Sequence, residues 1–234
     1  MNTDEQRLLA RCTAIGVSSW SDALDELAIG GVLQGITQRS GSGRMCGFAV
    51  TARQLPGRLG DFEKSDFAVG RLVAAAGPGK VLMVDVGGAP VSTLGGLASL
   101  AASKQGASGV VIDGGCRDID EIRATKLWLA SRWVVPTTGK RRLKLQPLGG
   151  TVSVGGIEVS QGDLVVGDET GIVVVPRAKL LEVLEQAERI VAVDERVEAA
   201  IRAGESFVRP PQPLDTFPHR NSAYCGDLAN ISAV

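Results

Sequence analysis

The chain has 234 residues, enough for one large domain, and 44% of them are hydrophobic, which allows a sizeable core. No stretch approaches the roughly 18 uninterrupted apolar residues of a membrane span. The charged N-terminus lacks the apolar segment of a secretion signal, so we expect a cytoplasmic protein that is not bound to a membrane. Lys and Arg number 25 against 26 Asp and Glu, a net charge of −1, which disfavours a nucleic-acid partner.

Cysteine and histidine are too sparse to suggest a disulfide framework, a structural zinc site or a histidine-based metal site. The single histidine, His219, lies in a proline-rich segment. We therefore expect any metal to be held by carboxylate, carbonyl and water oxygens, the ligands that Mg²⁺ and Mn²⁺ prefer. The cysteines, all expected to be reduced, are Cys12, Cys46, Cys116 and Cys225.

The first part of the chain alternates between helical and strand-like patterns, which predicts an α/β fold. A second short helix is predicted to be capped by Ser19 or Ser21 and to continue through Leu27. In chain order, the other predicted elements are helix 4–12, strand 46–55, helix 64–76, strand 81–86, helix 97–104, strand 110–112, helix 119–127 and strand 133–136.

After Leu143 the pattern changes to short strands separated by glycine, which predicts an antiparallel region. A long helix, 177–203, is predicted after Pro176. The two regions are expected to share one core within a single domain, 1–208, followed by an extended tail, 209–234. The short strands are predicted at 151–154, 157–159, 164–166 and 172–175.

The segment 94–118 carries the residues that are best suited to chemistry. Gly95 and Gly96 open a helix and leave the backbone N–H groups of Gly96 and Leu97 available for a carboxylate or phosphate. A buried strand then delivers Arg117 and Asp118 to its C-terminal end, where ligands bind in α/β proteins. The Arg117 guanidinium suits a carboxylate or an enolate oxygen, and Asp118 can coordinate a hard divalent cation.

Each of these residues also has a purely structural interpretation. Asp118 and Glu121 have the spacing of a capping box, in which both side chains satisfy backbone N–H groups of their own helix. Arg117 could be a surface ion-pair residue, and Cys116 is expected to be a packed side chain rather than a nucleophile. The basic run 140–144 could contact a protein partner or form a solvated turn.

Several ordered motifs together resemble the RraA-like family. The family includes 4-hydroxy-4-methyl-2-oxoglutarate (4-carboxy-4-hydroxy-2-oxoadipate) aldolases and the regulator of ribonuclease activity A. The resemblance implies a compact αββα sandwich related to swivelling β/β/α domains, assembled as a homotrimer or homohexamer with sites at subunit boundaries. The motifs that carry it are WSDALD at 20–25, GFAVT at 47–51, the glycine-rich segment 94–118 and the segment 155–176.

The resemblance also implies a metal site. In the family's aldolases an Asp is followed after twenty residues by Arg-Asp, but here Gly96 stands at the first position. A second family pattern has Gly there and an acid three residues after the Arg-Asp, which fits Arg117, Asp118 and Glu121. Asp118, with Glu121 acting through water, is thus expected to hold Mg²⁺ or Mn²⁺. Glu195 of a neighbouring subunit is the implied additional acid, with Asp194 as the alternative.

The implied reaction is carbon–carbon cleavage of a 4-hydroxy-2-oxo diacid to pyruvate and a second 2-oxo acid. Mg²⁺ or Mn²⁺ would bind the substrate's carboxylate and 2-keto oxygens, and Arg117 would stabilise the enolate oxygen. The amides of Gly96 and Leu97 would hold the substrate carboxylate. Oxaloacetate decarboxylation gives the same pyruvate enolate and is expected as a side activity.

Two other functions remain compatible with the resemblance. The first is a non-catalytic regulator that binds an enzyme through its surface, as the ribonuclease regulators of the family imply. The second is a different metal-dependent lyase or hydrolase on the same scaffold, because a shared fold does not fix the substrate.

Overall fold

The computed structural model describes residues 3–207, so the predicted tail, His219 and Cys225 lie outside the described residues. One compact unit ends at Val193, and a second begins at Asp194, within the last helix. The helices are α1 Thr3–Ala14, α2 Val17–Glu26, α3 Val69–Ala74, α4 Gly96–Lys104, α5 Ile119–Thr125 and α6 Leu180–Arg202, with 3-10 turns at Lys64–Phe67 and Arg177–Lys179. The strands are β1 Thr37–Ser40, β2 Met45–Pro56, β3 Lys80–Asp85, β4 Ser92–Leu94, β5 Gly109–Cys116, β6 Leu129–Val134, β7 Leu143–Leu145, β8 Thr151–Val154, β9 Ile157–Ser160, β10 Leu164–Gly167 and β11 Ile172–Val175.

A mixed sheet in the order β1-β6-β5-β3-β2-β10-β11 forms the centre of the fold. Strands β2, β3, β5 and β6 run parallel to one another, whereas β1 pairs antiparallel with β6, β10 with β2, and β11 with β10. Short strands β4 and β7 add to β5 and β2, and β8 and β9 form a separate hairpin. The predicted α/β fold class, with an antiparallel region and a long C-terminal helix, is confirmed.

The central strands are buried on both faces, as is typical of parallel strands covered on both sides. On β3, Leu82 and Val84 pack in a cluster with residues of α3, α4 and α5. Val81 and Met83 alternate with them and pack on the other face, beneath the β8–β9 hairpin. Helices α4 and α5 therefore lie side by side on one face, because each connects two strands of the same parallel region.

A third cluster covers β10 and β11. Helices α1, α2 and the first half of α6 bury their apolar faces against these two strands. Trp20 of α2 is fully buried there, and its indole N–H donates to the carbonyl oxygen of Cys12 at 3.4 Å. None of the helices within residues 3–207 has the length and apolar character needed to cross a membrane.

Two of the predicted helices differ in detail. The predicted helix 64–76 is interrupted at Ala68, which adopts a left-handed conformation (φ 43°) between the first 3-10 turn and α3. Helix α2 starts from Gly16, whose extended backbone precedes it without a side-chain cap, so the predicted caps at Ser19 and Ser21 are wrong.

The strand predictions were best where Gly turns isolate short apolar runs. The predicted bounds of β8 and β11 agree with the structure. The predicted strand 133–136 begins four residues after the start of β6. The prediction followed the apolar run that starts at Trp133 and Val134, which are exposed, whereas the buried residues of β6 are the preceding Leu129 and Ala130. Strands β1, β4 and β7 were not predicted, because β1 has no apolar residue, β4 has one, and β7 overlaps the basic run 140–144.

Candidate active site

Two loops meet at the C-terminal edge of the parallel region. Strands β4 and β5 run parallel, with Leu94 opposite Cys116, so that the chain leaves both strands in the same direction. The Arg117 N–H donates to the Leu94 carbonyl oxygen at 3.0 Å and fastens the two loops together. The glycine opening of α4 therefore lies beside the Arg-Asp pair that precedes α5.

Asp118 lies at the point where α5 begins, in a left-handed conformation (φ 54°, ψ 48°). Its carboxylate makes no capping hydrogen bond to α5, so the capping-box interpretation of Asp118 and Glu121 is wrong. Instead, Asp118 Oδ2 accepts a hydrogen bond from the Gly96 N–H at 3.3 Å and lies 3.5 Å from Arg117 Nε. The carboxylate thus sits at the N-terminus of the neighbouring helix, where the helix dipole stabilises negative charge.

Glu121 lies on the first turn of α5 and directs its carboxylate onto the bare Cα of Gly96. A Cβ atom at position 96 would lie 1.7 Å from Glu121 Oε2 and 2.7 Å from Glu121 Cβ. Likewise, a Cβ atom at Gly95 would lie 2.4 Å from Asp118 Oδ2. A side chain at 96 therefore competes with the Glu121 side chain, including its Cβ atom, for the same space, whereas at Gly95 the closest contact is with the movable end of the Asp118 side chain.

These charged groups line one side of a cavity of about 640 Å³. The charged side chains on its wall are Arg117, Asp118, Glu121 and Lys140. The apolar part of the wall comes from the α3 region and from α4, namely Phe67, Val69, Val73, Leu97, Ala98 and Ala101. A cavity of this size, with few charged groups on a largely apolar wall, is typical of a site for a small molecule.

The sequence-based reasoning missed two features of this cavity. Lys140, read as part of a basic run for a partner or as a solvated turn, lines the cavity together with Thr138. Thr93 also lines it, and its hydroxyl donates to Gln54 Oε1 at 2.7 Å in the buried interior. The basic run 140–144 was the only available signal for Lys140, and Thr93 carried none.

The backbone amides expected to bind a substrate carboxylate are only partly available. The Gly96 N–H donates to Asp118, whereas the hydrogen bonds of the described residues leave the Leu97 N–H without an acceptor. The Leu97 side chain is 83% exposed. Cys116 is fully buried beside Ser131, and burial raises the pKa of its thiol, which confirms the expectation of a packed side chain.

The carboxylates present fit a hard divalent cation that keeps most of its water. No group of three or more His, Cys, Asp or Glu side chains converges within residues 3–207. Asp118 and Glu121 supply two carboxylates, both drawn against the N-terminus of α4 and facing the cavity. Mg²⁺ is commonly held by one or two carboxylates together with water and substrate oxygens, so this donor set suits it. Glu195 lies exposed on α6, within the second compact unit.

Comparison with known protein families places the chain among its relatives. The model of the RraA-like family, described as Aldolase/RraA, matches residues 17–174. The chain belongs to the RraA-like family. Residues 95–121, which contain both loops of the cavity, lie inside the matched region.

Individual relatives support this assignment. An uncharacterized protein of Methanocaldococcus jannaschii is 35% identical over 146 residues, 62% of this chain and 64% of its own length, so the chain spans less than two thirds of that relative. A protein of Halalkalibacterium halodurans named "Putative 4-hydroxy-4-methyl-2-oxoglutarate aldolase" is 28% identical over 89% of this chain and 95% of its own length. The crystal structure of Streptomyces coelicolor RraAS2, described as an unusual member of the RNase ES inhibitor RraA protein family, superimposes with a TM-score of 0.73 at 27% identity, covering 82% of this chain and 96% of that one.

Proposed function

We propose that the chain is a divalent-metal-dependent pyruvate aldolase. Its substrate would be a 4-hydroxy-2-oxo diacid such as 4-hydroxy-4-methyl-2-oxoglutarate, cleaved to pyruvate and a second 2-oxo acid, and oxaloacetate decarboxylation would be a side activity. The observation that carries the proposal is the packing of Glu121 onto Gly96, beside Asp118 and Arg117 in one cavity. The relatives named as aldolases agree with a lyase.

In this proposal Asp118, and Glu121 through water, would hold Mg²⁺ or Mn²⁺, which when bound supplies a Lewis acid for the developing enolate. Arg117 adds a permanent positive charge and a planar pair of donors for the 2-keto oxygen as it becomes negative. The Leu97 N–H at the start of α4, which has no acceptor among residues 3–207, would serve as a donor for the carboxylate of the pyruvyl half.

Lys140 is suited to the distal half of the substrate. Among residues 3–207, the ion pairs do not include Lys140, and its exposed side chain lines the same cavity as Arg117. An ammonium group there can neutralise the second carboxylate of a diacid. The apolar wall formed by Phe67 and Val69 can accommodate a methyl substituent such as the one at C4 of 4-hydroxy-4-methyl-2-oxoglutarate.

We also propose that the chain forms a homotrimer or homohexamer, in which Glu195 of a neighbouring subunit approaches the cavity. Support comes from apolar side chains left on the surface near the two loops. Leu97 is 83% exposed and Trp133 and Val134 are each 45% exposed, a pattern that a second copy of the chain would cover.

The main experiment measures pyruvate release from oxaloacetate and from 4-hydroxy-4-methyl-2-oxoglutarate, before and after removal of divalent ions with a chelator. We expect activity that disappears with the chelator and returns with Mg²⁺ or Mn²⁺. Glu121→Gln should weaken the binding of the metal about 10–100-fold without lowering the melting temperature, because Glu121 does not cap its helix. Asp120→Asn, which alters an exposed acid on the same turn, is the matched control.

A non-catalytic regulator is the second candidate, favoured by the similarity to the RNase ES inhibitor family. A regulator would release no pyruvate beyond the rate in protein-free solution, with or without metal, and the variants would not change that result. Turnover of a different substrate with the same metal dependence and the same effect of Glu121→Gln would instead indicate another lyase or hydrolase on this scaffold.

A further inference from the structure

A second cavity, of about 590 Å³, lies between β1 and the C-terminal end of α5. The first turn of α5 faces the candidate active site with Glu121, whereas its last turn faces this second cavity with Arg123. Three cationic side chains and one acid line it, Arg39, Arg123, Lys126 and Glu169. We call it the basic pocket.

Two of the three cations of the basic pocket, Arg39 and Arg123, are held in place by backbone carbonyls rather than by acids. Arg39 donates from Nε to the Ser131 carbonyl oxygen at 3.3 Å and from Nη2 to the Arg132 carbonyl oxygen at 2.9 Å. Arg123 Nε donates to the carbonyl oxygen of Arg39 at 3.2 Å. These bonds orient both side chains, which line the same cavity, and leave Nη1 of Arg39 and both Nη atoms of Arg123 without a hydrogen-bond acceptor among residues 3–207.

Charge in the basic pocket is not balanced by the protein. Within the part of the chain that the structure describes, no ion pair includes Arg39, Arg123 or Lys126. With Glu169 counted, the formal charge of the wall is about +2. Guanidinium groups with free N–H donors bind phosphate particularly well, because the planar fork matches two phosphate oxygens.

The wall also presents one exposed acceptor. The Glu169 carboxylate lines the basic pocket and makes no ion pair or side-chain hydrogen bond among residues 3–207. A bare anion would be repelled by this carboxylate, whereas a hydroxyl group can donate a hydrogen bond to it. A ligand that combines a phosphate with hydroxyl groups would therefore be favoured over a bare anion.

We propose that the basic pocket binds a phosphorylated polyol, such as a sugar phosphate. The phosphate dianion would match the charge of about +2 and occupy the free donors of Arg39 and Arg123, with Lys126 as a further cation. The hydroxyl groups would donate to the Glu169 carboxylate. This site is independent of the aldolase proposal, because it uses none of the residues of the candidate active site.

The test measures the dissociation constant of ribose 5-phosphate by isothermal titration calorimetry with the full-length protein. The pocket variant is Arg123→Gln/Lys126→Gln, which removes two exposed cations. Its control is Arg71→Gln/Lys104→Gln, which removes two exposed cations outside the pocket and so has the same net charge. The third protein, Arg117→Gln, reports binding in the candidate active site.

Ribose 5-phosphate should bind the pocket variant at least about tenfold more weakly than the unmodified chain, with no change in the other two proteins. Inorganic phosphate should bind at least about tenfold more weakly than ribose 5-phosphate, since it has no sugar hydroxyl groups to donate to Glu169. Lys126→Gln alone, whose side chain makes no hydrogen bond among the described residues, tests the proposal if the double variant unfolds. Three results would overturn the proposal: equal weakening in the control, loss of binding only in Arg117→Gln, or no binding of ribose 5-phosphate to the unmodified chain. Equal affinity for inorganic phosphate and ribose 5-phosphate would overturn only the part of the proposal that concerns the polyol.

Discussion

The packing of Glu121 on Gly96 predicts that one carboxylate can be exchanged between the two positions. Gly96→Asp places a side chain where Glu121 already lies, with the new Cβ atom 1.7 Å from Glu121 Oε2 and 2.7 Å from Glu121 Cβ. The overlap involves Glu121 Cβ as well as the carboxylate, so rotation of the Glu121 side chain alone cannot remove it. The double variant Gly96→Asp/Glu121→Gly removes the Cβ atom and the carboxylate of Glu121, which are the groups that overlap, and keeps one acid, now at position 96, beside Asp118.

The magnitudes follow from the geometry. Overpacking costs about 1–3 kcal/mol of unfolding free energy, which for a chain of this length corresponds to a fall of roughly 2–12 °C in the melting temperature of Gly96→Asp. A glycine within α5 costs the double variant about 1 kcal/mol of helix propensity. Glu121→Gly alone should weaken Mn²⁺ binding about 10–100-fold, and the double variant should return to within about tenfold of the original affinity.

A double-mutant cycle measures the exchange, with melting temperature and calorimetric Mn²⁺ affinity determined for all four proteins. We expect a favourable coupling free energy of about 1–3 kcal/mol between positions 96 and 121 in both quantities. Additive effects on stability would show that the two positions do not compete for space. Normal stability in the double variant together with lost Mn²⁺ affinity would show that the carboxylates at 96 and 121 do not serve the same site.

Three further predictions concern single side chains. Arg117→Ala should lower kcat for pyruvate release about 10²–10³-fold. The melting temperature should change little, because the ion pair of Arg117 with Asp118 is partly exposed. An unchanged kcat would show that Arg117 takes no part in the reaction. Cys46 should be alkylated before Cys116 and at a lower pH than an ordinary thiol, because hydrogen bonds from Cys12 and Thr13 lower the pKa of Cys46. Mass spectrometry of peptides after limited iodoacetamide treatment tests the order of alkylation. Asp113→Ala should lower the unfolding free energy by about 2–4 kcal/mol in a denaturant titration. The reason is that the buried carboxylate accepts hydrogen bonds from Arg132 Nε at 2.6 Å and from the Gly155 N–H at 2.7 Å. A loss below about 1 kcal/mol would contradict this role.

Features that depend on nearby residues could be predicted from the sequence. The strand–loop–helix pattern of 94–121 predicted that Gly95, Gly96, Arg117 and Asp118 would meet, because parallel neighbouring strands bring their C-terminal ends to one edge. The structure brings these residues together at the mouth of one cavity.

Features that depend on tertiary contacts could not be predicted in this way. The capping-box spacing of Asp118 and Glu121 is local, but both carboxylates turn to the neighbouring helix, which a single helix pattern cannot show. Phe67 lines the cavity although it lies about 30–50 residues from the two loops along the chain. Lys140 lines it from about 20–45 residues away. No sequence spacing therefore indicates that these two residues belong to the site. Strand β6 was misplaced because Trp133 and Val134, although apolar, lie on the surface.

The charges of the candidate active site give a physical reason for its expected dependence on metal. Arg117 and Lys140 carry two positive charges, and Asp118 and Glu121 carry two negative charges, so the wall of the cavity has no net formal charge. A diacid brings two negative charges and would meet the carboxylates of Asp118 and Glu121 as well as the cations. A divalent cation held by those carboxylates would leave a charge of about +2, which matches the substrate. If the proposed function holds, the metal would contribute to substrate binding as well as to turnover, and Arg117 and Lys140 alone would be insufficient for either.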